Sequence, residues 1–222
     1  MPAKTNPQCY DQGVLGSCTA NGIAYCYQYD ELKQKQADVF MPSRLFIYYN
    51  ERLIEGTVAE DAGAIIRDGI KVMNRYGVCP EPMWPYVIDR FAELPPIECY
   101  TRAKQCTCVA YYSVKRSINS IKTALLSGFP IVFGFDVYES FESITKTGLM
   151  PVPAANETLL GGHCVVAVGY DDAKHGGSLI VRNSWGPSWG DNGHFYMPYS
   201  CISGNMTADF WVMSKISGDA KK

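Results

Sequence analysis

An α+β fold is predicted for this chain of 222 residues, and three observations predict it. Helix-period apolar patterns fill the N-terminal half, whereas short strand-like apolar runs, separated by glycines and polar turns, fill the C-terminal half. The two patterns are segregated rather than alternating, which argues against a parallel α/β sheet. Hydrophobic residues make up 47% of the chain, enough for a substantial core in one domain of two lobes.

The elements follow in order. Pro2 and Pro7 leave residues 1–9 as an irregular arm. Ala20, Ile23, Ala24 and Tyr27 recur at three- and four-residue steps, predicting a helix that opens at Cys18 and gives way to the polar run from Asp30 to Lys35. A second helix is predicted from near Ser43 towards Ile54. A third spans about Asp61 to Tyr76, with Ala62, Ile65, Ile66, Ile70 and Met73 on one face and Gly77 as a left-handed stop. The proline-rich stretch from Cys79 to Pro96 is predicted to be ordered but irregular. Beyond Cys108 a strand is expected over Val109 to Val114, then a helix capped by Ser117 and closed by Gly128. Strands follow at Ile131 to Val137, Cys164 to Tyr170, Leu179 to Arg182, His194 to Met197 and Phe210 to Met213. The helical lobe thus covers about 10–108 and the strand-rich lobe about 109–213.

Net charge is −2 with 19% charged residues, so no footprint for nucleic acid or an anionic membrane is present. The longest apolar runs, such as Phe129 to Phe135, are far too short to span a bilayer, and no apolar stretch follows Met1 to Thr5 as a signal peptide would require. There are nine cysteines, an odd number, so at least one thiol is unpaired even if the others all pair.

Three segments carry chemistry. In Gln12-Gly13-Val14-Leu15-Gly16-Ser17-Cys18 a thiol sits where a helix begins, and the exposed N–H groups of a first turn favour a thiolate. Gln12 can return its amide towards the sulfur and, with the Cys18 N–H, form a pair of oxyanion donors. In Gly161-Gly162-His163-Cys164 a histidine heads an apolar strand behind two glycines, where a substrate backbone can approach closely. The other two histidines, His175 and His194, lie in polar, turn-like surroundings, which leaves His163 as the base. In Arg182-Asn183-Ser184-Trp185-Gly186 an amide carbonyl can accept from an imidazole N–H, with Trp185 as cover. Each segment alone has a plain structural counterpart: a buried thiol, a satisfied core histidine, a glycine-rich hairpin anchored by tryptophan.

Together, in the order Gln…Cys…His…Asn-Ser-Trp-Gly, they resemble the papain family of cysteine peptidases. His163 lies 145 residues after Cys18, inside the roughly 130–150 typical of that family. The resemblance runs from about Gln12 to Met213. It implies a helical left lobe carrying Cys18, a β-barrel right lobe carrying His163 and Asn183, and an active-site cleft between them. It implies that Gln12 serves the oxyanion hole, that Asp61-Ala62-Gly63 is a backbone rail for an extended substrate, and that Trp189 stands on the leaving-group side. Ala64, Ile65 and Cys164 are expected to line an apolar substrate pocket whose floor falls within Asp209 to Met213, although Asp209 there would favour a basic side chain; Gly162 and Trp185 are also expected to contact substrate.

The implied activity is endopeptidase cleavage through a Cys18 thioester, with no cofactor or metal. The alternatives are an acyl transferase on the same fold and a non-catalytic binding module. Expected partners are peptide or protein substrates and a proteinaceous inhibitor or a pro-segment in trans, since only 17 residues precede Cys18; the chain is expected to act as a monomer. Two departures from the family pattern stand out. Leu15 removes the partner of a common disulfide, and Thr19 replaces an aromatic residue. Cys79, Cys99, Cys106 and Cys108 are expected to form other bridges, to stay as thiols, or to hold a structural metal, with bridges favoured.

Overall fold

Residues 7–216 are described by a computed structural model, with side chains as far as Met213. Packing divides the chain into two units, one built on Gln12–Tyr112 and one on Gln8–Asp11 with Ser113–Val212. Residues 8–11 therefore belong to the strand-rich unit rather than forming a separate arm.

The first unit is helical. Helix α1 (Cys18–Lys33) is buried on nearly every side over its first three turns, which explains why Tyr25, Cys26 and Asn21 sit beside the periodic apolar set. Helix α2 (Arg44–Glu55) is capped by Ser43, whose hydroxyl accepts the Phe46 N–H at 3.1 Å, and ends at Gly56 in the left-handed region. Helix α3 (Ile66–Arg75) begins five residues later than the sequence pattern suggests. The apolar spacing continues upstream, but Gly63 has φ 73° and the Ile65 N–H is taken by the Glu55 carboxylate at 2.8 Å, so residues 61–65 form a loop. At Gly77 a side chain is excluded outright: a Cβ would lie 1.9 Å from the Ala103 carbonyl oxygen. The stretch after Cys79 contains two 3₁₀ turns, Glu81–Met83 and Ile88–Arg90, and then helix α4 (Ile97–Ala103). The sequence pattern misses α4 because only Cys99 and Ala103 of its seven residues are buried, too few to show a period.

Strand β1 (Cys108–Ser113) leads into the second unit. There α5 (Ile118–Leu126) is capped by Ser117 and followed by Gly128 at φ 79°. The remaining elements are β2 (Ile131–Tyr138), the single turn α6 (Glu139–Glu142), β3 (Leu159–Asp171), β4 (Ser178–Arg182), β5 (His194–Pro198), the single turn α7 (Tyr199–Ser203) and β6 (Thr207–Ile216). Strands lie in the order β6-β2-β3-β4-β5, with antiparallel pairing throughout. The register that matters sets Phe135 of β2 opposite His163 of β3, and Val166 of β3 opposite Arg182 at the end of β4. Beneath these strands Phe133, Phe141, Val165, Leu179, Val181 and Phe195 form the core, and Phe133 stacks on Phe210 at 4.8 Å.

None of the nine cysteines is in a disulfide, which corrects the expected bridging of the central four. Each of the four has another partner: Cys106 Sγ accepts from Arg102 at 2.6 Å, Cys108 Sγ donates to the Ala110 carbonyl at 3.3 Å, Cys99 Sγ donates to that of Met83 at 3.6 Å, and Cys79 is hydrogen-bonded with the Cys99 and Ser43 side chains. Among the described residues no cluster of His, Cys, Asp or Glu is arranged to hold a metal, and no helix is long and apolar enough to cross a membrane.

Candidate active site

Each unit contributes one set of candidate residues. In the first unit, Cys18 is the first residue of α1 and is half-buried. Ser17 closes the turn before it by donating its N–H to the Leu15 carbonyl at 2.8 Å. The Ser17 hydroxyl makes no cap bond; it meets the Tyr86 hydroxyl at 2.5 Å and the Asn21 amide at 3.1 Å. The first-turn N–H groups of α1 are thus not satisfied by a side-chain cap, and they present partial positive charge at Cys18. Gln12 is buried, and its Nε2 donates to the Leu15 carbonyl at 3.0 Å while Tyr86 donates to the Gln12 carbonyl at 2.9 Å. Both ends of Gln12 are therefore fixed, and its amide carries a second N–H.

In the second unit, His163 Nε2 lies 2.7 Å from Asn183 Oδ1. The Ser184 N–H donates to the same oxygen at 2.8 Å, which identifies that atom as the carbonyl oxygen rather than the amide nitrogen. A carbonyl can only accept, so Nε2 carries the proton and Nδ1 is the basic nitrogen of the neutral ring. Trp185 stacks on the imidazole with centroids 5.0 Å apart and planes at 27°, and Phe135 meets it edge-on at 5.9 Å. Burial among these rings pushes the His163 pKa down to about 4, against a smaller upward effect of the Asn183 bond. Taken within its own unit, the imidazole is neutral at physiological pH.

The other predicted residues occupy varied places. Gly162 is exposed on β3, and a Cβ built there meets nothing within 4 Å, so packing inside its unit does not require glycine. Cys164 is buried in β3 directly after the histidine. Trp189 is only 9% exposed and packs on Trp185 at 5.2 Å, Phe141 and Phe195 at the edge of the core. In the first unit, Asp61 and Ala62 are exposed and Gly63 and Ala64 half-buried; Ile65, 56% exposed, precedes α3. The Gly63 N–H donates to the Tyr48 hydroxyl at 3.2 Å. Asp209, at φ 58°, accepts from the Trp211 indole at 2.5 Å.

Sequence reasoning missed a polar stripe on α2. Tyr48, Glu51, Arg52 and Glu55 fall at i, i+3, i+4 and i+7, one helical face, between Leu45, Phe46 and Ile47, which are fully buried. A polar period inside an apolar helix is the signal that would have found it. The stripe binds Asp61, Thr19, the carbonyls of Val58, Glu60 and Phe91, and the Ile65 N–H respectively.

Comparison with known proteins adds the following. Residues 49–209 match the family model described as papain family cysteine protease. The matched segment contains His163 and Asn183, while Gln12 and Cys18 precede it. The chain is 50% identical over 218 residues to an uncharacterized peptidase C1-like protein of Acanthamoeba polyphaga mimivirus, covering 93% of this chain and 70% of that one. It is 33% identical to cysteine proteinase 3 of Entamoeba histolytica, over 84% of this chain and 58% of that one. Among solved structures it is similar to xylellain, a cysteine protease from Xylella fastidiosa, with TM-score 0.89 and 44% identity, covering 95% of this chain and 84% of that one.

Proposed function

The chain belongs to the papain family of cysteine proteases, and from that premise we propose that it cleaves peptide bonds as an endopeptidase through a thioester formed on Cys18, with His163 as general acid and base. One observation carries the assignment. His163 Nε2 is committed to Asn183 Oδ1 at 2.7 Å, an oxygen fixed independently by the Ser184 N–H, so Nδ1 is left for proton transfer.

Magnitudes decide how the pair ionises. A pKa near 4 in place of 6.5 means that charging His163 alone costs about 3 kcal/mol more than in water. An anion about 4 Å away returns roughly 4 kcal/mol at a typical effective dielectric. His163 therefore takes a proton only as Cys18 gives one up, and the two ionise as a unit. The Cys18 thiolate attacks the peptide carbonyl carbon, and the carbonyl electron pair moves onto an oxygen held by Gln12 Nε2 and the Cys18 N–H. His163 Nδ1–H protonates the leaving amine as the C–N bond breaks. Water then loses a proton to Nδ1, attacks the thioester and releases the acid and the thiolate. The residues proposed to contact substrate are Ala62, Gly63, Ala64 and Ile65 of the helical unit and Gly162, Cys164 and Trp185 of the strand-rich unit, with no cofactor required.

An epoxysuccinyl peptide, which alkylates only activated thiols, tests this directly. One label per chain is expected, on Cys18 by peptide mapping, and Cys18→Ala should keep its circular dichroism while losing both labelling and casein cleavage. Label on another of the nine cysteines, or turnover by Cys18→Ala, would overturn the assignment.

A further inference from the structure

With leucine at position 15, the segment leading into Cys18 has no covalent tie at that residue, yet Gly16 before the cysteine and Thr19 after it are held by Asp61 and Glu51, the first anchored by Tyr48 and the second carried on the same helix, α2. On the upstream side, the Gly16 N–H donates to both oxygens of Asp61, at 3.0 and 3.1 Å. The same carboxylate accepts the Tyr48 hydroxyl at 2.5 Å, and that hydroxyl accepts the Gly63 N–H. There is little slack: a Cβ at Gly16 would already stand 3.0 Å from Asp61 Oδ1. On the downstream side, Thr19 Oγ1 donates to Glu51 Oε2 at 2.8 Å, and both residues are buried. Glu51 Oε1 has no hydrogen-bond partner and packs against Gly69, where an added Cβ would lie 2.1 Å from it, so glycine at 69 leaves the room that Glu51 occupies. One turn beyond Tyr48 on α2, the fully buried Arg52 guanidinium binds the carbonyls of Val58 and Glu60 and so fixes the loop that delivers Asp61.

We propose that Tyr48 and Glu51, with Asp61, form a bracket of positioning residues that clamps Gly16 and Thr19 and so sets where the Cys18 sulfur points. The proposal rests on Cys18 being the nucleophile. It gives the exposed Asp61 a task besides any backbone pairing with substrate. A carboxylate acting only as a nearby negative charge has the opposite effect: it keeps the thiol protonated, so its removal would speed alkylation at neutral pH. Loss of a positioning contact slows alkylation instead, because the sulfur leaves the first-turn N–H groups that favour the thiolate.

The experiment is the pH dependence of Cys18 alkylation by iodoacetamide, a probe too small to need the substrate groove. Asp61→Ala is expected to slow the second-order rate about tenfold at pH 7, with Tyr48→Phe and Thr19→Val each about threefold slower, since small misplacements of a reacting atom carry such penalties. In all three the alkylation midpoint should move to higher pH. Tyr48→Phe and Thr19→Val each delete a single oxygen and so decide the matter if Asp61→Ala does not fold. Asp61→Asn, which keeps an acceptor for Gly16, should recover part of the rate. Alkylation at the parent rate or faster in the folded variants, with only peptide KM raised, would overturn the bracket. If the unsubstituted protein itself labels elsewhere than Cys18, the nucleophile assignment fails instead, and the two outcomes are distinguished by peptide mapping.

Discussion

Asn183 acts on His163 through one atom, and its other polar atom shows what that costs. Oδ1 accepts from the imidazole and from Ser184, whereas Nδ2 is buried without a partner. Leaving an amide N–H unsatisfied costs about 1–3 kcal/mol, so the residue is retained against a stability penalty. An amide orients the ring with little charge; a carboxylate there would hold the imidazolium charged without need of the thiolate. Asn183→Ala is therefore expected to lower kcat/KM by roughly ten- to a hundredfold, about 1.4–2.7 kcal/mol of transition-state stabilisation. The bond to Asn183 raises the His163 pKa, so removing it shifts the basic limb of the kcat/KM profile to lower pH. A basic limb that stays in place or rises would disprove that role for Asn183. At this scale the His163–Asn183 bond was legible because a histidine behind two glycines and an asparagine before Ser-Trp-Gly stand out as polar side chains at the ends of apolar strands. Phe135 and Phe141, which pack on His163 and Trp185, were not, because an aromatic in a strand or helix reads as ordinary core.

At the scale of elements, α2 does more than fill space. Arg52 is fully buried: Nε donates to the Tyr48 carbonyl, and the two terminal nitrogens donate to carbonyls of Val58, Glu60 and Phe91, while the guanidinium lies 4.0 Å from the Tyr48 ring centroid. Burial pulls its pKa down, and the surrounding Tyr48, Asp61 and Glu51 partly offset that. Arg52→Met keeps the apolar stem but leaves three loop carbonyls without a donor, so urea unfolding should show a loss of about 3 kcal/mol or more. Arg52→Lys should recover only part of it, because an ammonium cannot reproduce the planar fork. A methionine variant as stable as the parent would reduce the guanidinium to a filler. Apolar period and capping residues marked most helices correctly, including Ser43, Ser117 and Gly77 as ends. They failed at residues 61–65, where Tyr48 and Glu55 take the Gly63 and Ile65 N–H groups and hold the backbone in a loop despite a helical apolar pattern. They also failed at the start of β3, where exposed Leu159, Leu160, Gly161 and Gly162 carry no strand signal although Leu159, Gly161 and Gly162 pair with β2.

For the whole molecule, the division into a helical half and a strand-rich half was visible in the order of the two periodicities, since every strand after Ile131 pairs antiparallel. The fate of the cysteines was not, because a count of nine carries no geometry. The two units also differ in the sign of their pH dependence. In the helical unit, burial raises the carboxyl pKa of Asp30 to about 7 and of Glu31 and Glu51 to about 8. Groups raised in this way give stability that is fully present below their unfolded values near 4, and it is lost as pH climbs through 7 and 8. His163 in the strand-rich unit is depressed, so its contribution is present above 6.5 and lost as pH falls through about 4. On the alkaline side the carboxyls govern, and Glu51 is the most deeply buried of them. Between pH 6 and pH 9 its ionisation alone should cost about 3 kcal/mol, from the 1.4 kcal/mol per pH unit that one proton contributes until the folded pKa is passed. Glu51→Gln keeps an acceptor for Thr19 and removes the titration. Urea unfolding of the parent should therefore weaken over that range, and the glutamine variant should weaken by about 3 kcal/mol less. Parallel losses in the two proteins would mean that Glu51 is already charged in the folded state, against the effect of its burial.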